Sequence, residues 1–330
     1  MIPIKNTRAF QGLFACMVCM AGIAPAQAAA PYPNKPLRML VGFPPGGSTD
    51  VLARQVGAKL GEALGQQVVI DNRAGATGNV ASETVAKANP DGYTMLMATV
   101  ASHGINPSLF KRVPYDPVKD FQPVTLVATY PLVLAANPGA GAKTTRQLID
   151  LAKGKPGQIR VSSSGNGSPG HLSAEIFKSM AGVDLLHVPY KGGAPSTIAV
   201  LANEAQIIFA TLPGMMPHLK SGRAIALGVT TAARSPALPD VPTVAESGGL
   251  KGFDVSSWAG IVMPARTPND VVQRMHGEIV KVLNSPDMRG RLSAEGANPV
   301  GNTPDQFSMF IKAELAMWAK AVKQAGTQLD

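Results

Sequence analysis

The chain has 330 residues, 45% of them hydrophobic and 15% charged, with 34 Gly and 28 Pro, enough for one large domain or two medium ones with real cores. Its formal charge is +9, yet the basic residues are scattered and aromatics make up only 5%. With neither a basic stripe nor a stacking platform, nucleic acid is excluded as a partner, and anionic small molecules or an acidic membrane surface remain.

Lys5 and Arg8, an apolar stretch from Phe10 to Ile23, and Ala26-Gln27-Ala28 form the pattern of a secretory signal peptide cut after Ala28, which places the mature protein in the periplasm. A cut after Ala30 would leave Pro31 first, and a lipoprotein box at Leu13-Phe14-Ala15-Cys16 would leave too short an apolar core. As an anchor the stretch is short, and no later run approaches the roughly 20 apolar residues of a spanning helix. Both cysteines, Cys16 and Cys19, fall inside it, and its loss removes Lys5 and Arg8, taking the charge from +9 to +7. The mature chain is therefore expected to lack disulfides and thiol catalysis.

After a Pro-rich lead, Leu37 to Val41 reads as a strand and Phe43-Pro44-Pro45-Gly46-Gly47-Ser48-Thr49-Asp50 as the turn that ends it. Ser48, Thr49 and Asp50 are all good N-caps for a helix beginning at Val51, whose stripe of Leu52, Val56, Leu60 and Leu64 runs to Gly65. Such a start is either a simple capped turn or a latent carboxylate or phosphate site, because its N–H groups and positive dipole end face outward. A strand at Gln67 to Ile70, a helix at Asn79 to Ala88 and a strand at Tyr93 to Thr99 complete a βαβαβ unit. Phe121 to Leu134 holds β-rich segments that Pro131 is expected to break, and Thr144 or Thr145 caps a helix reaching Lys153.

A second α/β series follows: strands at Ile159 to Ser163, Leu185 to Val188, Gln206 to Ala210 and Ala224 to Val229, with helices at Gly170 to Met180, Ser196 to Leu201 and Pro213 to Ser221. A strand at Phe253 to Met263 and helices at Asp270 to Leu283 and Pro304 to Ala325 then pack back on the first unit. The expected architecture is α/β, two lobes joined by crossings near Ala128 to Leu132 and Val255 to Val262, with a ligand cleft between them. One lobe takes residues 29–130 and 254–330, the other residues 131–253.

Gly165-Asn166-Gly167-Ser168-Pro169-Gly170 matches G-x-G-x-x-G between a strand and a helix, so an exported dinucleotide-binding enzyme is one alternative. It lies in the second unit, however, with Pro169 at the helix start, and His171 and Leu172 stand where a P-loop needs Lys and Ser or Thr. No G-x-S-x-G elbow supports the other alternative, an exported α/β hydrolase, and the five histidines show no metal spacing. No cofactor is expected. Ser102 to Pro107, Val188 to Pro195 with Tyr190 and Lys191, and Thr211 all end strands on the side where open parallel sheets bind ligands.

Phe43-Pro44-Pro45-Gly46-Gly47-Ser48-Thr49-Asp50, Asn72-Arg73-Ala74-Gly75-Ala76-Thr77-Gly78, Asn89-Pro90-Asp91-Gly92-Tyr93-Thr94, Val188-Pro189-Tyr190-Lys191-Gly192-Gly193 and Leu238-Pro239-Asp240-Val241-Pro242-Thr243 together resemble the Bug receptors, extracytoplasmic solute receptors of the tripartite tricarboxylate transporter family. The resemblance runs in order across nearly the whole mature chain; Ala74, where many members have Pro, is a mild departure. It implies a type II periplasmic-binding-protein fold that closes on a small organic acid, a mono- or dicarboxylate, between Phe43 to Asp50 and Gly192 to Ala194. The residues carried over are Phe43, Pro44, Gly47, Ser48 and Asp50 on the first loop, with Asp50 ordering N–H groups and water. Ser163, Ser164 and Thr211 meet the ligand from the second lobe, with Gly192 and Gly193 on its opposing loop; Ser102, Asn106, Gly170, His171 and Tyr190 join the candidate set from their places at strand-end loops and a helix start rather than from the resemblance. The partners implied are membrane transporter subunits or a sensor kinase, and the receptor is expected to be a monomer.

Overall fold

The structure, a computed structural model, describes residue 1 and residues 32–325. The rest of the expected signal segment, its cleavage site and both cysteines lie outside the described residues.

Five elements build the first unit: β1 (Leu37–Val41), α1 (Ser48–Leu64), β2 (Val68–Asn72), α2 (Asn79–Ala86) and β3 (Thr94–Thr99). The α1 stripe of Leu52, Val56 and Leu60 packs on one side of the sheet, while Ala81 and Val85 of α2 join a different cluster with Leu96 and Ala98. Because the two helices cover different faces, the chain turns to either side of β1, which pairs in parallel with both β2 and β3. The loops after β1 and β3 therefore diverge and leave a crevice at the strand ends.

A π-helix (Ala101–Ile105) runs into α3 (Asn106–Leu109), where the sequence suggested only a loop. Next comes β4 (Phe121–Ala136), one continuous strand of 16 residues. The expected break at Pro131 does not occur. Pro131 is the last β4 residue paired with β9, and Pro123 sits at a shift of register, so each proline lies where the ladder is already interrupted and its missing N–H costs little.

The second unit comprises α4 (Thr145–Gly154), β5 (Arg160–Ser163), α5 (Pro169–Ala181), β6 (Leu186–Pro189), α6 (Gly193–Leu201), β7 (Ile207–Thr211), α7 (Leu212–Lys220), β8 (Ile225–Val229) and α8 (Val244–Gly248). Here β5 lies between β6 and β7, parallel to both, so a second crevice opens after β5 and β7. The chain ends with β9 (Ser256–Pro264), α9 (Asn269–Asn284), α10 (Pro286–Ala294), β10 (Asn298–Pro299) and α11 (Pro304–Ala325).

The sheet order is β2-β1-β3-β9-β4-β7-β5-β6, with β8 and β10 also paired to β4. Two antiparallel strands, β9 and β4, thus join the units. Met275 and Ile279 of α9 and Leu292 of α10 pack against the α1 side of the sheet, and Phe307, Ile311 and Trp318 of α11 bury with Trp258. Trp258 Nε1 and Trp318 Nε1 both donate to Glu314 Oε2, at 2.8 and 3.0 Å. Gly260 allows α11 to approach β9, since a Cβ there would lie 2.2 Å from the Phe307 ring. Among the described residues no helix is long and apolar enough to cross a membrane.

Candidate functional site

Both crevices open on one cavity of about 310 Å³, at the small end of ligand pockets. Its first wall is the turn between β1 and α1. The helix starts at Ser48 with Gly47 as N-cap and no side-chain cap, earlier than the expected capping by Ser48, Thr49 or Asp50. Asp50 instead turns its carboxylate back and accepts from Gly46 N–H (2.9 Å), Asn72 Nδ2 (2.9 Å) and Arg54 Nε (3.0 Å). Asn72 Nδ2 donates also to the Phe43 carbonyl at 3.0 Å. Burial pushes the Asp50 carboxyl up, but bonds from Arg54, Gly46 and Asn72 outweigh it and hold its pKa below the usual range. Asp50 is 2% exposed and lies behind the cavity wall, where it shapes the turn.

The facing wall repeats this construction. Gly192 is the N-cap of α6 and Thr211 that of α7, neither with a side-chain cap bond, whereas Ser168 Oγ accepts from His171 N–H at α5 (3.3 Å). Uncapped starts leave backbone N–H groups and a partial positive charge, which suit an anion. The lobes meet across the cleft, with Thr211 Oγ1 donating to Ser48 Oγ at 2.9 Å and Thr77 Oγ1 to the Asn166 carbonyl at 2.7 Å. At the lips of the cleft Gly192, at φ +117°, approaches the first loop closely: a Cβ would stand 2.7 Å from Pro44 Cδ.

Behind the β5–α5 loop, the rings of His171 and His187 stack with centroids 4.1 Å apart. His187 Nε2 lies 2.7 Å from Ser163 Oγ, and His171 Nδ1 accepts from Gly167 N–H at 3.1 Å. Burial, then the neighbouring His171 and Lys178, push His187 down to about 4. The second serine–histidine contact, Ser102 Oγ to His103 Nδ1 at 3.0 Å, is also buried. Neither serine–histidine pair lines the cavity, so neither presents a nucleophile to a ligand there.

Of the residues named from sequence, Phe43, Gly47, Ser48, Ser164, Gly170, Gly193 and Thr211 line the cavity. Pro44, Tyr190 and Gly192 border a neighbouring hollow of about 600 Å³ that shares Phe43 and Ser164 with it. Asp50, Ser102, Asn106, Ser163 and His171 sit behind the walls. Asn106 Nδ2, for example, donates to Asn79 Oδ1 at 2.7 Å and ties two strand-end loops together. The lining also includes Tyr130, Leu132 and Ser257 from the crossing strands, and Ile198 and His218 from α6 and α7. Helical spacing from the recognised starts could have found Ile198 and His218; the crossing residues carry no such signal.

No Asp, Glu, Lys or Arg lines the cavity. Burial and then Arg223 hold the His218 imidazole below its ordinary pKa, so it is neutral near pH 7. Among the described residues no group of His, Cys, Asp and Glu could hold a metal ion. What the walls offer is a set of N–H and hydroxyl donors at converging helix starts over an apolar floor.

Residues 52–327 match the family described as tripartite tricarboxylate transporter family receptor. The chain is 36% identical to Protein BugT of Bordetella pertussis, over 94% of this chain and 96% of that one. Among solved structures it is similar to R. palustris Rpa4515 with adipate, at 37% identity and TM-score 0.88, covering 90% of this chain and all (100%) of the other. It is also similar to MatC from Rhodopseudomonas palustris with bound malate, at 30% identity and TM-score 0.83, covering 88% and 100%.

Proposed function

The chain belongs to the tripartite tricarboxylate transporter receptor family, with a type II periplasmic-binding-protein fold, and from that premise we propose that it captures a small organic carboxylate between its lobes. It hands the ligand to membrane transporter subunits or a sensor kinase, works as a monomer and performs no reaction. The lobes divide at residues 29–130 with 254–330 and at 131–253, and the protein is exported and cut after Ala28.

One observation carries the reading: α1, α6 and α7 begin without side-chain caps around a single cavity that no charged side chain lines. A carboxylate there accepts hydrogen bonds from backbone N–H groups and from hydroxyls such as Ser48 and Thr211. Asp50 orders the donors from behind, and Arg54 balances its charge. Relatives solved with adipate and with malate agree with this ligand class.

The test is a melting-temperature series of the purified protein with a panel of organic acids. A ligand at a hundredfold excess over its Kd stabilises by about 2.7 kcal/mol, easily read as a shift. Failure of every carboxylate to move the melt, together with turnover of an ester, overturns the receptor reading. N-terminal sequencing of the mature protein checks the cleavage site, which requires Ala29 as the first residue.

A further inference from the structure

We infer that the end of the cavity remote from the helix starts selects an uncharged apolar body, so that this protein takes a monocarboxylate in preference to a dicarboxylate of the same length. The inference rests on the carboxylate-receptor reading and names the class of acid within it.

The cavity has a direction. Its donors gather where α1, α6 and α7 begin, and contacts there are short: Thr211 Oγ1 to Ser48 Oγ at 2.9 Å, and 4.0 Å from the position of a Gly46 Cβ to Ala194 Cβ. From these starts the lining continues along α6 to Ile198 and along α7 to His218. At the helical rise those positions lie about 7–9 Å from the first residues of their helices, within reach of a hexanoate-sized ligand anchored by its carboxylate. The ligand's far end therefore meets Ile198 and His218.

Neither suits a second carboxylate. No Lys or Arg lines the cavity at any point, and Leu132, Ile208 and Phe209 add apolar surface to its floor. Ile198 lines the cavity yet remains 63% exposed, so an apolar ligand body would cover surface that otherwise stays in water. A second ionised group would lose its hydration opposite that surface, beyond the helix-start N–H groups that hold the first carboxylate. His218, neutral near pH 7, would have to take up a proton to provide a cation there.

The test is calorimetry of the full protein with length-matched pairs: hexanoate against adipate, and benzoate against terephthalate. Hexanoate and benzoate are expected to bind tighter than their partners by roughly tenfold or more. Ile198→Lys, at an exposed position where the fold tolerates change, is expected to shift the ratio toward adipate. Adipate binding as tightly as hexanoate overturns the inference alone, as does adipate affinity that rises when pH falls through the histidine range, since that places the second carboxylate on His218. An unchanged ratio in Ile198→Lys also overturns it. Binding of none of these acids, or of any other carboxylate, removes the receptor reading and this inference with it.

Discussion

Replacing Asp50 by Ala separates two opposite expectations. If its negative charge chiefly repelled an anionic ligand, the substitution would tighten binding. The geometry gives the other sign. Asp50 fixes the turn through Gly46 N–H at 2.9 Å and Asn72 Nδ2 at 2.9 Å, and Arg54 already balances its charge. Without the carboxylate, Gly46 N–H loses its partner, while Asn72 keeps Phe43 O and Arg54 keeps Asn72 Oδ1. Charge-assisted bonds contribute about 1.5–3 kcal/mol each, and the half-exposed Arg54 partner is screened, so the folded protein should lose about 2–3 kcal/mol. Ordering Gly46 and Gly47 on ligand binding would then cost about 1–1.5 kcal/mol per residue, weakening affinity by roughly 30- to 100-fold. Calorimetry with the best ligand of the panel, beside urea unfolding, measures both quantities. Because the folded pKa of Asp50 is depressed, its contribution is present above the ordinary carboxylate range and is lost as pH falls through the folded value; the Ala variant should lack that acid limb. Unchanged or tighter binding would refute the ordering role.

Gly192→Ala places a Cβ 2.7 Å from Pro44 Cδ at a backbone φ of +117°; about 1–3 kcal/mol of strain should weaken binding roughly 5- to 150-fold, and small-angle scattering with ligand should show a wider cleft. Thr211→Val removes the 2.9 Å bond to Ser48 Oγ across the cleft and should cost about 0.5–1.5 kcal/mol, a two- to tenfold loss in calorimetry. The stacked histidines give a pH signature. The pKa of His187 is pushed from 6.5 down to about 4 in the folded protein, so the unfolded chain takes the proton first, and stability falls as pH drops from about 6.5 to about 4. Urea midpoints should follow that limb and flatten in His187→Gln; an equal slope in both proteins would show that the pair is not its source.

Much of the fold was legible because its signals are local. The α1 stripe and the alternation of strand and helix both lie within short windows. What escaped depends on pairing. Pro131 looked like a breaker because a sequence does not show that β4 exchanges one partner strand for two others at that residue. The helix at Pro286–Ala294 buries only Met288 and Leu292, too sparse a stripe to show a period. In the candidate site, the turn chemistry of Gly46 to Asp50 marked a loop that lines the cavity but assigned the cap wrongly, since Asp50 bonds backward to Gly46 instead of capping its own helix. Ser102 and Asn106 were placed correctly at a strand end, yet their side chains turn inward to His103 and Asn79. Sequence locates a loop more readily than it tells which way its side chains face.

The continuous strand β4 has a mechanical consequence. Any rotation of one lobe on the other must bend β4 and β9, and β4 changes partners between Pro131 and Leu132. Tyr130 and Leu132, on either side of that point, are also part of the cavity floor. A ligand held as proposed would rest on the fulcrum, while the lips at Pro44 and Gly192 are at the ends of the levers. A displacement of a fraction of an ångström at the floor is magnified at the rim, where a docking partner could read whether the cleft is filled.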